Sequence, residues 1–133
     1  MKLSMGLPTR EEEVQILDTY MTEDPLKKLT AVIDQETLER MQKEAMEVYV
    51  HPTVRGYLAD LSAATRSSDQ TVMGVSPRGT IALMRASRAW AYLEGRSFVT
   101  PDDVKKLCVP VLGHRIVAWC FPMDRIVMQM RCV

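Results

Sequence analysis

The chain has 133 residues, of which 47% are hydrophobic and 26% charged, the size and composition of one ordinary globular domain with its own core. Seventeen basic residues balance seventeen acidic ones, which argues against a domain whose main task is to coat nucleic acid or an anionic membrane. No apolar run approaches the roughly 20 residues that span a bilayer, and the N-terminus lacks the apolar core of a signal peptide. We therefore expect a cytoplasmic protein with no membrane partner.

The first two helices are predicted from their caps. Thr9 and Glu12 form a capping box that predicts a helix from about Arg10 to Met21, with Val14, Leu17 and Tyr20 as its apolar stripe. Residues 25–33 read as a connecting loop. Asp34 is expected to cap the second helix, whose apolar residues at helical spacing are Leu38, Met41, Ala45 and Val48.

The third helix is expected to open at Pro52, because proline suits the first helical position, and to end near Arg66. The residues expected to face inward are Val54, Tyr57, Leu58, Leu61 and Ala64. Residues 67–70 have the composition of a loop, and no convincing strand pattern precedes Val109.

The start of the fourth helix is the most informative feature of the chain. Ser76 can cap it and Pro77 suits its first position, so Arg78 lies at the positive end of the helix dipole. A cation there costs a few tenths of a kcal/mol, on the order expected for a charge–dipole contact, unless an anion lies close by. Arg78 is therefore a candidate functional residue, the alternative being a solvated surface arginine. Gly95 is placed to end the helix.

The two faces of the fourth helix differ in chemistry. Arg78, Arg85 and Tyr92 share one face, with Arg88 close to it. The opposite face is predicted to pack into the core and carries Ala82, Leu83, Ala86, Ala89, Trp90 and Leu93.

A fifth helix is predicted from Thr100, Pro101 and Asp103, which supply an N-cap, a first-turn proline and an early acid. Pro110 is expected to stop or kink this helix. Its residues expected to face inward are Val104, Leu107 and Cys108.

The C-terminal tail follows no clear pattern. Residues 116–119 fit either a short strand or a helical turn, and residues 124–130 are compatible with a helix. The sequence therefore predicts an all-α fold, a small bundle of roughly five helices over residues 1–116, followed by a tail of unclear structure over residues 117–133.

The chain lacks the parts of a complete catalytic site. It has no G-x-x-x-x-G-K-[ST] phosphate loop, no apolar strand ending in paired acids and no nucleophile elbow. The three cysteines, Cys108, Cys120 and Cys132, fit no disulfide or metal pattern and are interpreted as small hydrophobes. His51 and His114 are interpreted as structural or surface residues, and no metal site is predicted. Whatever Arg78 does, the rest of its site comes from elsewhere.

The segment Gly74–Gly79 (GVSPRG) resembles the sensor 2 motif of the MoxR family of AAA+ ATPases, and the resemblance covers about Lys2 to Ile116. It continues through ASRA (86–89), GRSFVTPDDV (95–104), LGHR (112–115), GLPT (6–9), EEE (11–13) and ATR (64–66). Gly79 stands where the family more often has alanine, a difference expected to leave Arg78 free to approach a phosphate. The residues after Ile116 do not resemble the usual family ending.

This resemblance implies a C-terminal helical lid, separated from the α/β core that carries the phosphate loop, Walker B acids, sensor 1 and arginine finger. It implies that Arg78 is the sensor 2 arginine, contacting the γ-phosphate of ATP in its own or a neighbouring subunit. Ser76, Arg85 and Arg88 are weaker candidates for the phosphate side, and Arg66 is expected to end a helix and pair with an acid.

The same resemblance implies ATP with Mg²⁺ as cofactors of the full-length protein and none for this chain alone, which should not hydrolyse ATP by itself. The implied partners are the protein's own ATPase core, neighbouring subunits of a hexameric ring, and von Willebrand A-type clients or partners that the ATPase remodels like a chaperone.

Two other functions fit parts of the sequence. The face of Arg78, Arg85, Arg88 and Tyr92 could bind a nucleic-acid backbone, although the neutral net charge argues against this. A chain with ten methionines could also be a helical protein-interaction module, although methionines at helical spacing, such as Met41, are better explained as core.

Overall fold

The computed structural model describes residues 1–22 and 24–119. They divide into two compact units, one of residues 3–43 and the other of residues 1–2 together with the described residues from Glu44 to Trp119. Five α-helices and one small two-stranded sheet make up the regular structure of the described residues, apart from a single 3-10 turn. The predicted all-α fold is confirmed.

In the first unit, α1 (Arg10–Thr22) begins behind the predicted capping box. The Thr9 amide donates to Glu12 Oε2 over 2.7 Å, and the Glu12 amide donates to Thr9 Oγ1 over 3.3 Å. Each residue satisfies an amide of the other, so the helix start is fixed locally. The apolar stripe of this helix, Val14, Leu17 and Tyr20, is exposed.

A 3-10 turn (Pro25–Lys28) and then α2 (Gln35–Glu47) follow in the chain. The Asp34 carboxylate accepts the Thr37 amide over 2.6 Å, which caps α2 as predicted and lowers the pKa of Asp34. Of the apolar residues that recur at helical spacing here, Met41 and Ala45 are half-buried and Leu38 is exposed, whereas Val48 belongs to the core of the second unit.

The second unit is built from α3 (Pro52–Ser67), α4 (Pro77–Leu93) and α5 (Pro101–Leu112). The central helix α4 packs on both of the others, most extensively on α5. Their shared core consists of Val48, Val50, Val54, Leu58, Val75, Leu83, Ala91, Val99, Val104, Leu107, Val111 and Leu112.

The inward line of α3 contains a serine that apolar patterning cannot identify. Ser62 is 1% exposed, whereas Ala64 is exposed, so the prediction that Ala64 faces inward is wrong. The Ser62 hydroxyl donates to the Leu58 carbonyl over 2.9 Å and accepts from Thr80 Oγ1 over 2.7 Å. Burying a hydroxyl that both donates and accepts a hydrogen bond costs little free energy, so a polar residue can occupy the contact line.

His51 caps this helix, because its Nδ1 accepts the Thr53 amide over 3.2 Å.

The buried line of α4 consists of small residues with one leucine: Gly79, Leu83, Ser87 and Ala91. Ala82, Ala86 and Trp90 are half-buried beside this line, as predicted in part. Ala89 and Leu93 are exposed, so their assignment to the core face is wrong. Apolar periodicity places the core face of α4 to one side of the buried line, because that line includes Gly79 and Ser87, which have no apolar side chain.

The ends of α4 and α5 follow the predicted local rules, with one exception. Gly95 has a positive φ of 72° and its amide donates to the Tyr92 carbonyl over 2.9 Å, ending α4 as predicted. Thr100 and Asp103 form the capping box of α5. Pro110 lies inside α5 and the helix continues to Leu112, so Pro110 does not stop it.

A short antiparallel sheet joins β1 (Thr71–Met73) to β2 (Val117–Ala118). β1 was not predicted from the sequence, whereas β2 confirms the strand alternative for residues 116–119. The predicted helix at 124–130 lies outside the described residues, as do Cys120 and Cys132. The domain boundary at residue 116 stays a prediction. No helix in the described part of the chain is both long and apolar enough to cross a membrane.

Candidate functional site

The loop that leads into α4 is anchored to the C-terminal end of α3. The Val75 amide donates to Thr65 Oγ1 over 3.0 Å, and Arg66 Nη1 donates to the Val75 carbonyl over 2.8 Å. The Val75 side chain is fully buried. Arg66 was expected to pair with an acid, and this is wrong: its partner is a loop carbonyl, which no residue-type pattern reveals.

Gly74 permits this close contact between the loop and α3. A Cβ placed on Gly74 would lie 2.6 Å from the Thr65 carbonyl oxygen and 2.7 Å from the Arg66 Cα. Both distances are shorter than a Cβ atom can approach backbone atoms without a steric clash. Glycine is therefore required here for approach of the backbone.

Ser76 is the N-cap of α4, as predicted. Its backbone is extended, and its hydroxyl accepts the Gly79 amide over 3.4 Å while its carbonyl accepts the same amide over 2.8 Å. Pro77 then occupies the first helical position. The cap therefore fixes Arg78 in the first turn of α4.

Arg78 is an exposed cation at the positive end of α4. It makes no hydrogen bond or ion pair with any residue in the ranges 1–22 and 24–119. The first turn of α4 contains no acid, whereas α1 and α5 each carry acids there. The helix dipole and the guanidinium therefore both attract a negative charge. An anion such as a phosphate fits this end of the helix.

Gly79 has a packing role. It is buried, and a Cβ on it would lie 2.8 Å from Val75 Cγ1 and 3.8 Å from Leu112 Cδ2. The absence of a side chain is therefore explained by contact with the core. The expectation that this glycine also leaves Arg78 free to approach a phosphate stays a prediction.

Of the other polar residues on the outer face of α4, one is exposed to solvent and two form hydrogen bonds within the domain. Arg85 is exposed like Arg78. Arg88 Nε donates to the Val48 carbonyl over 2.9 Å, and the Tyr92 hydroxyl donates to the Glu44 carboxylate over 2.5 Å. Two of the four residues proposed for a nucleic-acid surface are thus engaged within the domain, which weakens that alternative.

A shallow cavity of about 440 Å³ lies at the other end of α4, lined by Glu44, Glu47, Val48, Tyr92, Gly95, Arg96 and Ser97. Two carboxylates contribute to its wall, whereas Arg96 is already paired with Asp103 over 2.6 Å. Repulsion between carboxylates and phosphate makes this cavity a poor nucleotide site. The N-terminal end of α4 is the better candidate.

Several groups have no evident part in the site. Cys108 is half-buried, and its burial raises the pKa of the thiol, which makes it a poor nucleophile. No group of metal-ligating side chains occurs among residues 1–22 and 24–119. The Nε of Arg115 is buried and has no hydrogen-bond partner in the part of the chain that the structure describes, and the Arg115 Cδ lies 3.6 Å from the Cβ position of Gly79.

A family profile described as the AAA lid domain matches residues 63–129, about half of the chain. This segment contains the end of α3, the loop that leads into α4, and all of α4 and α5, so it includes Arg78. The chain belongs to the AAA lid domain family.

The relatives identify the branch of this family. YeaC of Bacillus subtilis is 36% identical over 116 residues, covering 87% of this chain and 36% of that protein. The chaperone MoxR1 of Mycobacterium tuberculosis is 31% identical over 125 residues, covering 87% of this chain and 33% of that protein. MoxR of Paracoccus denitrificans is 40% identical over 81 residues, covering 51% of this chain and 24% of that protein. The chain is a lid of the MoxR type, as the resemblance implied.

The fold has a counterpart among solved structures. A crystal structure of a candidate ATPase from Cytophaga hutchinsonii has a TM-score of 0.72 and covers 89% of this chain and 38% of that chain. At 21% identity, this likeness shows the fold alone. The chain spans about a third or less of the length of the curated relatives it matches.

Proposed function

We propose that this chain is the lid of a MoxR-type AAA+ ATPase and that Arg78 is its sensor 2 arginine. The observation that carries the proposal is the exposed guanidinium of Arg78 at the positive end of α4, with no acid in that turn. In an assembled ATPase, a γ-phosphate would receive both the guanidinium and the field of the helix.

The geometry suits phosphate recognition and charge stabilisation. A guanidinium donates along two parallel directions and stays charged at any physiological pH, so it binds phosphate oxygens better than lysine would. Phosphoryl transfer depends mainly on positioning and on stabilising charge on the transferred group. Arg78 would supply part of that charge. Arg85, which lies seven residues further along the same face of α4, would add a weaker contribution. Ser76 would fix the start of the helix as its N-cap.

The remaining parts of the site would come from an α/β core and from neighbouring subunits of a ring, which we propose to be a hexamer. The core would supply the phosphate loop and the acids that hold Mg²⁺ with ATP. Since Arg78 belongs to the lid, loss of the γ-phosphate would release the lid from the nucleotide. This movement would perform work on a client, which accords with the name of the relative MoxR1, a chaperone. We propose von Willebrand A-type proteins as clients or partners and the cytoplasm as the location.

The test compares two effects of Arg78→Ala. In the 133-residue chain, the variant should leave the melting temperature unchanged or slightly higher, because it removes an unfavourable charge–dipole contact worth a few tenths of a kcal/mol, on the order typical of such contacts. In the full-length protein carrying this lid, the same change should lower steady-state ATP hydrolysis by on the order of a hundredfold or more.

Arg55→Ala is the matched control, because Arg55 is another exposed arginine near the start of a helix that opens with proline. It should leave hydrolysis within about twofold of the wild type. Normal hydrolysis by Arg78→Ala would refute the assignment. So would a sequence directly upstream in the genome that encodes no phosphate loop.

A further inference from the structure

We propose that Arg66 is a positioning residue for Arg78, acting through the backbone of Val75; the proposal rests on the sensor 2 function proposed above. Arg66 lies in the last turn of α3, and its Nη1 donates to the Val75 carbonyl over 2.8 Å. It does not contact Arg78. Its effect on the nucleotide is transmitted through the chain between residues 75 and 78.

Both polar backbone groups of Val75 are held by α3. The Val75 amide donates to Thr65 Oγ1 over 3.0 Å, while the Thr65 hydroxyl itself donates to the Ser62 carbonyl over 2.7 Å. The Thr65 hydroxyl is thereby oriented with its lone pair toward Val75. Since the Val75 side chain is also fully buried, this residue is fixed by two hydrogen bonds and by packing.

A second connection fixes the other side of Arg78. Thr80 Oγ1 donates to the buried hydroxyl of Ser62 over 2.7 Å, joining the first turns of α4 to α3. Arg78 therefore lies between two residues, Val75 and Thr80, that are each bonded to the same helix. Its backbone is fixed at both sides, whereas its guanidinium extends into solvent.

This arrangement determines where the guanidinium can reach. Loss of the Arg66 bond would leave the Val75 carbonyl without its donor, so that only the Thr65 bond and the buried Val75 side chain would hold the loop, and the backbone before Arg78 would be less tightly fixed. A displacement of about 1 Å in a group that positions a reacting phosphate can lower a rate on the order of a hundredfold. Arg66 would thus influence hydrolysis without touching the nucleotide.

The test is a double-mutant cycle in the full-length protein carrying this lid. Arg66→Ala should lower kcat at least about tenfold in the wild-type background and less than about twofold in the Arg78→Ala background, because its effect passes through Arg78. Arg66→Lys should recover part of the rate, since one donor suffices for the Val75 carbonyl. Arg55→Ala, on the same helix, should change neither background.

A second measurement separates positioning from general loss of structure. The ratio of the affinities for Mg-ATP and Mg-ADP, measured by equilibrium binding, reports contact with the γ-phosphate. Arg66→Ala and Thr65→Val should each lower this ratio toward that of Arg78→Ala, and neither should lower it further when combined with Arg78→Ala.

Equal losses of kcat in both backgrounds, or an unchanged ATP-to-ADP affinity ratio in Arg66→Ala, would overturn the positioning role while leaving the sensor 2 assignment intact. Normal hydrolysis by Arg78→Ala alone would instead overturn the proposed function.

Discussion

Arg96 and Asp103 form a two-point ion pair at the start of α5, with 2.8 Å between Nη1 and Oδ2 and 2.6 Å between Nη2 and Oδ1. The Asp103 side chain is 6% exposed and that of Arg96 is 29% exposed. Asp103 also accepts the amide and hydroxyl of Thr100 over 2.8 Å and 2.9 Å. One carboxylate therefore both caps α5 and joins it to the segment that follows α4.

The stability of the chain should depend on the ionisation of Asp103. Hydrogen bonds from Arg96 are the largest cause that lowers the pKa of Asp103, from 3.8 to about 2. Because the folded-state pKa is depressed, the stabilisation is complete above about pH 4 and is lost as the pH falls toward 2. Urea titrations across this range should show a loss on the order of 2 kcal/mol from this group.

Asp103→Asn should lower the free energy of unfolding at pH 7 by about 2 to 3 kcal/mol, because it leaves Arg96 without its charged partner. The part of the pH dependence that Asp103 contributes between pH 4 and 2 should be absent from this variant, whereas the part due to Asp34, whose pKa is also lowered, should remain. Asp102→Asn is the control, since Asp102 is the exposed neighbour in the same helical turn. An identical pH profile for wild type and Asp103→Asn would show that the ion pair contributes nothing.

Gly79→Ala should destabilise the domain despite the higher helix propensity of alanine. The new methyl group would lie 2.8 Å from Val75 Cγ1, a buried atom that cannot move freely, and overpacking costs about 1 to 3 kcal/mol. Gly56→Ala is the matched control in α3, because nothing lies within 4 Å of its Cβ position. It should gain about 0.5 to 1 kcal/mol from propensity. Stabilisation of both variants in urea would refute the packing role of Gly79.

Trp90→Ala should lower the free energy of unfolding by about 2 to 3 kcal/mol, less than a fully buried aromatic, because Trp90 is half-buried. Lys106 Nζ lies 4.0 Å from the centroid of its ring, and Lys106→Gln should therefore cost about 0.5 to 1 kcal/mol. In the Trp90→Ala background this second loss should disappear. Leu93→Ala, at a residue that is 67% exposed, should cost under about 0.5 kcal/mol.

Arg115→Met should be neutral or stabilising by up to about 1 kcal/mol in the 133-residue chain. The change retains an apolar stem and removes the Nε group that is buried without a partner among the described residues. Arg96→Met provides the contrast, because it removes a paired guanidinium and should cost about 2 to 3 kcal/mol. A loss above 1 kcal/mol for Arg115→Met in chemical denaturation would mean that this guanidinium contributes through contacts outside its Nε.

Sequence reasoning was reliable where the determining interaction is local. The capping boxes at Thr9 and Thr100, the cap at Ser76 and the terminating Gly95 all occur as predicted. Each joins residues three positions apart, so the information lies within one short segment. The residue types at those positions leave few other backbone conformations open.

Predictions failed where a polar side chain has its partner far along the chain. Ser62 could not be predicted as buried, because its acceptor role depends on Thr80, eighteen residues away. The bond from Arg88 Nε to the carbonyl of Val48, forty residues away, could not be predicted either, whereas the weaker assignment of Arg88 to the phosphate side stays a prediction. Helical periodicity records only hydrophobicity and angle, so it cannot distinguish an exposed arginine from one that bonds a distant backbone group.

By itself, the sequence determined the five helices, the position of Arg78 at the positive end of α4, and the absence of a phosphate loop from this chain. These follow from local propensity, capping chemistry and motif content. Only the tertiary structure decided which arginine is exposed and which is bonded, why residue 79 is glycine, and that Arg66 holds the loop before Arg78. The reason is that a backbone carbonyl such as that of Val75 has no residue-type signature, so its partners become known only when the helices have packed.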